Sequence, residues 1–201
     1  GLYPGGHGIH ENGRILSTAH PLVAERLRDA GYRTAACVSC FVLARGFGLA
    51  RGFDVYDEPV DAERSSRETT DRALAAIEDA KAQPLFLWVH YFDPHAPYLP
   101  PEPFGSRFAS KPYLGEVAAM DEQLGRLAAA FERTSPVAIV VVADHGEGLG
   151  DHGEPQHGNL LYQSTMHVPL AIVGPGVAPG VAETPVSSRH VFHTLLDFAG
   201  L

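Results

Sequence analysis

An α/β fold with a mostly parallel central sheet flanked by helices is the class this sequence predicts. Three observations predict it. Two strongly apolar runs, Leu85–Phe92 (LFLWVHYF) and Val137–Ala143 (VAIVVVA), read as strands buried on both faces of a parallel sheet. Segments with apolar residues at helical spacing alternate with such runs. Both runs also change abruptly into polar, histidine-bearing loops, which is where open α/β sheets bind ligands.

Taken in order, Gly1–Gly13 (GLYPGGHGIHENG) is glycine-rich with an Asn12-Gly13 turn signal and reads as a loop, in which His7, His10 and Asn12 either face a ligand or, the favoured reading, tie the loop down by hydrogen bonds. Thr18–Ala30 reads as an amphipathic helix with Ser17 or Thr18 as its cap and Pro21 near its first turn. Leu22, Val23, Leu27 and Ala30 share its apolar face, and Gly31 ends it. Arg33–Val38 reads as a strand. Cys37 and Cys40 follow as CVSC with no second pair, so they are expected as core or loop cysteines rather than a redox or zinc pair. Phe41–Pro59 reads as a loop in which Arg45 and Arg51 either contact an anion or, the favoured reading, are solvated. Asp61–Ala82 opens as a charged linker and becomes a helix from about Ser66, burying Ala73, Leu74 and Ile77.

The Leu85 strand runs into Asp93-Pro94-His95-Ala96-Pro97-Tyr98, then Pro100, Pro101 and Pro103. Prolines this dense continue neither strand nor helix, and they make a stiff loop that holds His95 in place. Tyr113–Arg133 is a helix with a stripe of Leu114, Val117, Ala118, Leu124, Leu127, Ala128 and Phe131. It leads into the Val137 strand, so Leu85–Ala143 forms a right-handed strand–helix–strand unit. In a parallel sheet the loops after its two strands share one edge. Beyond them, Gly158–Met166 reads as a short helix and His167–Val173 as a buried strand that Pro169 places at an edge or bulge. Thr184–Val186 reads as a short strand, and Ser188–Phe198 as a last helix capped by Ser187 or Ser188.

The chain of 201 residues, 45% hydrophobic and 19% charged, suffices for one domain with one core. Its net charge of -9, without a basic cluster, argues against nucleic acid as partner. An anionic substrate stays open, because a bound metal reverses the local field. No run within these residues is apolar and long enough to span a membrane or reads as a signal peptide, and targeting segments are open outside them. The chain opens in mid-motif, so it is expected to be a fragment of a longer protein.

The chemistry is expected in the loop after Val137–Ala143. Asp144 and His145 sit at the strand's carboxyl end, and a carboxylate beside an imidazole suits a divalent metal. Glycines 146, 148, 150 and 153 would let backbone approach a ligand. His152 and His157 follow in the same loop. His152 is either a metal or substrate contact or a brace for the loop. Glu147 either orients a histidine or is solvated. His90 and His167 read as hydrogen-bonded core histidines.

Four segments carry a family resemblance: GLYPGGHGIHENG, FLWVHYFDPHAPYLPP, ADHGEGLGDHGEPQHG and YQSTMHVPLAIVGPG. In order and spacing they resemble the sulfatases of the alkaline phosphatase superfamily over nearly the whole chain. The resemblance implies an alkaline phosphatase-like three-layer sandwich and metal-dependent hydrolysis of sulfate monoesters. It implies that Asp144 and His145 are paired metal ligands and that His95 contacts the sulfate or the leaving-group oxygen. It places His157 near a lysine that touches the sulfate in many members. His95 and His157 are therefore the candidate catalytic residues, and His152 joins them as a candidate substrate contact.

The family's nucleophile is a formylglycine made from Cys or Ser in C/S-x-P-S-R, a motif absent from these residues and expected upstream of Gly1. The first-strand carboxylates that complete the metal site are expected there too. Residues 1–201 are thus expected to be a partial catalytic domain, inactive alone and lacking the family's C-terminal subdomain as well. The family default for the metal is calcium. His145 stands where arylsulfatases commonly have Asn, and imidazole better suits manganese or zinc, with magnesium also open. GYRTAACVSCFVLARG lacks the K-W-H-x-G run of many arylsulfatases. The implied substrate is a small-molecule or carbohydrate sulfate ester. The alternative is a phosphodiesterase, phosphonate monoester hydrolase or phosphoryl transferase on the same metal residues, and a third reading is a relative that keeps the fold without the chemistry.

Overall fold

The computed structural model describes residues 1–81, 83–131 and 136–201. They divide into two compact units, Leu2–Arg133 and Thr134–Leu201 with Gly1, and each is described by itself.

The first unit is built on a parallel sheet of three strands, β1 (Arg33–Cys37), β2 (Val55–Asp57) and β3 (Leu85–Val89), in the order β2-β1-β3. Ala36 pairs with Tyr56 on one side and Trp88 on the other. The small side chains of β1 let both faces be covered closely. Ala36 and Val38 face a cluster with Tyr56, Leu43, Leu49, Phe53 and Trp88, while Cys37 faces Ala73, Leu127, Leu74, Ile77 and Leu87. The second cluster comes from the two long helices of the unit, α3 (Ser66–Ala80) and α5 (Pro112–Phe131). The shorter helices are α1 (Pro4–His7), α2 (Val23–Asp29) and α4 (Phe104–Arg107).

Several elements differ from expectation for identifiable reasons. Helix α2 starts at Val23, because Ser17 Oγ accepts the Ala19 N–H in a local turn and the Glu25 carboxylate accepts the Leu22 N–H at 2.7 Å. Pro21 biases His20 toward extended backbone, so the helix cannot begin earlier. Strand β2 lies where the sequence reads as loop, since three residues show no alternation. Arg45 and Arg51 are not merely solvated: Arg45 pairs with Glu58 and donates to the Tyr56 carbonyl, and Arg51 donates to the His20 carbonyl. Glycine-rich Gly1–Gly13 contains one helical turn, and His7 Nδ1 ties it by accepting the Ile9 N–H. Helix α3 is capped as its sequence suggests, with Ser65 Oγ accepting the Glu68 N–H. The expected helix ends at Ala82 and Arg133 lie outside the described residues.

Cys37 and Cys40 are both buried, and neither is in a disulfide. Burial, with the Asp57 charge adding to it, pushes the Cys37 thiol up to about 11. At pH 8 roughly one Cys37 in a thousand is then thiolate, the reactive form. A disulfide reagent at pH 8 should leave Cys37 unmodified in the native protein and modify it on unfolding. Labelling of Cys37 followed by mass spectrometry checks this, and rapid native modification would contradict the burial.

In the second unit β4 (Ile139–Val142) pairs antiparallel with β5 (Leu170–Val173), Val142 lying opposite Leu170. The parallel, doubly buried strand expected over Val137–Ala143 is therefore corrected. Val141 and Val142 are 38% and 39% exposed, since a ribbon of two strands cannot cover both of its faces. Helices α6 (Gln163–Met166) and α7 (Val191–Phe198) follow, the latter after a 3₁₀ turn at Ser188–His190. Thr184–Val186 forms no ladder. Among the described residues no helix is long and apolar enough to cross a membrane.

Candidate functional site

In the second unit the loop after β4 closes on itself. The Gly146 N–H donates to the Thr165 carbonyl, Gly148 to Gln156 and Gly150 to Glu154. The Glu154 side chain turns inward, and its carboxylate accepts the N–H groups of Asn159 at 2.8 Å and Leu160 at 3.1 Å. The glycines serve this closure. A Cβ on Gly146 would collide with the Ser164 carbonyl, and one on Gly148 would lie 2.5 Å from the Glu154 carbonyl oxygen. Gly150 and Gly153 have φ of 93° and 82°, the left-handed backbone that glycine adopts without strain.

Asp144, His145, Glu147 and His157 come together on this loop. The Asp144 side chain is 79% exposed. Its Oδ1 accepts the His145 N–H at 2.9 Å. His145 Nδ1 lies 2.9 Å from the Gly146 carbonyl. A carbonyl oxygen can only accept, so Nδ1 carries the proton and Nε2 carries the lone pair, the form in which imidazole ligates a metal. That Nε2 is 3.8 Å from Asp144 Oδ1. Two donors each about 2.1 Å from one ion stand about 3.4 Å apart at a tetrahedral angle, so the pair fits a shared cation after a small side-chain rotation. Among the described residues no group of three or more His, Cys, Asp or Glu side chains is placed to hold a metal.

The His157 ring stacks on His145 with centroids 3.9 Å apart. Its Nδ1 lies 3.2 and 3.3 Å from the two oxygens of Glu147. The Glu147 side chain is only 4% exposed, so it orients a histidine and is not solvated. His152 behaves otherwise. Its φ is 51°, its ring lies on Tyr162 at 3.7 Å, and its Nδ1 is 3.0 Å from Asp151. A hydrogen bond from Ser164, and then His152, hold the Asp151 carboxyl below its usual range. His167 donates its N–H to the Gln163 carbonyl and closes α6.

His95 belongs to the first unit, in the loop after β3. Its ring stacks on Phe92 at 4.1 Å. Its Nδ1 lies 2.8 Å from the Ala96 carbonyl, which fixes the same tautomer as in His145. His90 continues the ladder past β3 by donating its N–H to the Cys37 carbonyl. Two carboxylates with evident work in these loops, Glu116 and Glu154, are not among the residues expected from sequence. For Glu116 a signal existed: Glu116, Ala119, Gln123 and Leu127 recur at helical spacing and form the buried face of α5. For Glu154 we find none.

Glu147→Gln should keep the loop fold and lower kcat by about 10- to 100-fold, the usual loss when the partner that orients a site histidine is neutralised. The nitrogen-15 shifts of the His157 ring check the cause: they should report a loss of Nδ1–H character. An unchanged ring spectrum would contradict it.

Comparison with known proteins follows the same lines. A family model described as Sulfatase matches residues 1–201. The choline-sulfatase of Rhizobium meliloti (strain 1021) is 36% identical over 98 residues, which cover 47% of this chain and 19% of that protein. A solved structure in complex with its substrate D-glucosamine-2-N,6-O-disulfate matches with a TM-score of 0.78 and 18% identity, covering 99% of this chain and 65% of that one. The phosphonate monoester hydrolase of Agrobacterium radiobacter matches with a TM-score of 0.71 and 18% identity, over 87% of this chain and 55% of that one. The chain thus spans less than two thirds of each of these proteins. The likeness shows the expected alkaline phosphatase-like α/β fold.

Proposed function

The chain belongs to the sulfatase family, and from that premise we propose that the whole protein hydrolyses sulfate monoesters, with residues 1–201 as part of its catalytic domain. The observation that carries this reading is the arrangement at Asp144 and His145. A carboxylate and a tautomer-locked imidazole stand side by side at a strand's carboxyl end, next to a histidine held by a buried glutamate. Asp144 and His145 Nε2 would hold one divalent cation. When bound, the ion supplies a Lewis acid that draws charge from the sulfate oxygens. The family's calcium is the reference, and the mixed oxygen and nitrogen donors suit manganese or zinc as well.

His157 gives its Nδ1–H to Glu147, and in its protonated form it donates from Nε2 to a sulfate oxygen, with the Glu147 charge stabilising the imidazolium. His95, its Nδ1–H locked on the Ala96 carbonyl, donates from Nε2 to the leaving-group oxygen in its doubly protonated form as the S–O bond breaks. The attacking group is a formylglycine hydrate from the family's own motif, outside the residues given roles here. The organic part is a sugar or another small molecule, in keeping with the disulfated glucosamine bound by the neighbour above.

A second reading, hydrolysis of phosphonate monoesters or phosphodiesters, has in its favour the likeness to a phosphonate monoester hydrolase and the imidazole at position 145. The full-length, metal-loaded protein assayed with sulfate monoesters, phosphate mono- and diesters and a phosphonate monoester separates the two. A higher kcat/KM on sulfate monoesters supports the first reading, and a higher value on a phosphorus ester replaces it with the second.

A further inference from the structure

The His95 loop carries a buried acid that the proposed chemistry does not use. Glu116, on the second turn of α5, is 5% exposed. One carboxylate oxygen accepts the backbone N–H of His95 at 3.1 Å, and the other accepts that of Leu99 at 2.6 Å. The two bonds bracket the Ala96–Tyr98 turn. The loop is docked on α5 at the same place by packing. A Cβ on Gly115 would lie 2.7 Å from Cγ of Pro100, so only glycine lets the proline ring close on the helix beside Glu116. Tyr98 meets Tyr113 edge to face at 5.5 Å. At the loop's other end Asp93 accepts the Ser66 N–H at the start of α3.

A buried carboxylate is a costly way to hold a loop that proline already stiffens. Burial pushes the Glu116 carboxyl up, opposed by the N–H groups of Leu99 and His95, with the Asp93 charge raising it further and His95 lowering it. What the carboxylate adds is direction. Two convergent acceptors fix the backbone on both sides of the turn, and the His95 ring, already clamped by Phe92 and the Ala96 carbonyl, then has one orientation.

We propose that Glu116 is the positioning residue for His95, acting through the backbone of residues 95–99 and not on the substrate. The proposal rests on the sulfatase reading of His95 for its effect on rate, but not for the clamp itself. Glu116→Gln is the test, with Glu116→Asp in reserve should the glutamine variant fold poorly. An amide side chain offers one acceptor where two N–H groups converge, so one of them faces an NH₂ group.

In the full-length protein, Glu116→Gln should speed hydrogen exchange at the His95 and Leu99 amides. It should lower kcat on a sulfate monoester about tenfold and leave KM within about twofold. In a His95→Ala background the same change should cost nothing further, because a residue that acts only through His95 is silent without it. An equal loss of kcat in both backgrounds means general destabilisation and overturns the proposal. Unchanged kcat with a loosened loop overturns it too. Full kcat in His95→Ala alone sinks the functional reading of that histidine, while unchanged amide protection in Glu116→Gln separately sinks the clamp.

Discussion

Asp144→Ala should abolish divalent-metal binding by the full-length protein and lower kcat on a sulfate monoester by at least about 10³-fold, since the charge stabilisation at the sulfate is lost with the ion. The fold should survive. The side chain is largely exposed, and its bond within this unit is to the neighbouring His145 N–H, so the stability change should stay within about 1 kcal/mol. Two readouts keep the cause clear. Metal content by elemental analysis reports binding without reference to turnover, and amide exchange in β4 and β5 reports the ladder. A variant that binds metal with unchanged affinity would remove Asp144 from the ligand set, whatever its activity. His145→Ala should match it in metal loss but disturb the loop more, because the His157 ring packs against His145.

The fold class was legible in the sequence, and the features that depend on long-range partners were not. β3 was legible because its continuous apolar run LFLWV has few other uses, and β1 because its residues follow a helix that Gly31 ends. β2 was not, since its three residues are a strand only by lying beside β1. The direction of pairing was equally invisible: VAIVVVA reads the same beside a parallel or an antiparallel neighbour, and β5 supplies the latter. Asp144, His145 and His157 could be picked out by residue type and spacing. The tautomer of His145 could not, because it depends on a carbonyl that only the folded turn brings to Nδ1. The spacing of Glu116 with Ala119, Gln123 and Leu127 could place it on the buried face of α5 but could not say what it holds. Its partners are backbone N–H groups of a separate loop, and no pattern within α5 announces them.

Gly148→Ala should destabilise the second unit by about 3 kcal/mol, the upper range for forcing extra volume into a closed packing, and should take the site with it. Gly148 is buried, and the space for a methyl group is filled on two sides by backbone. The added carbon would lie 2.5 Å from the Glu154 carbonyl oxygen and 2.6 Å from that of Gln156. Neither oxygen can swing away as a flexible side chain would, so residues 154–156 must move. The Gly148 N–H bond to the Gln156 carbonyl then breaks, and Glu154 is displaced from Asn159 and Leu160. His157 sits between those anchors and loses its alignment with Glu147. Gly150→Ala is the matched control: its φ is 93° but a methyl group there meets nothing, so only conformational strain of about 1 kcal/mol applies. Thermal melting and the kcat of both variants decide the matter. A Gly148→Ala protein as stable and active as Gly150→Ala would mean that the loop does not close through residues 148 and 154–156. His157 would then owe its position to something other than the Glu154 anchors.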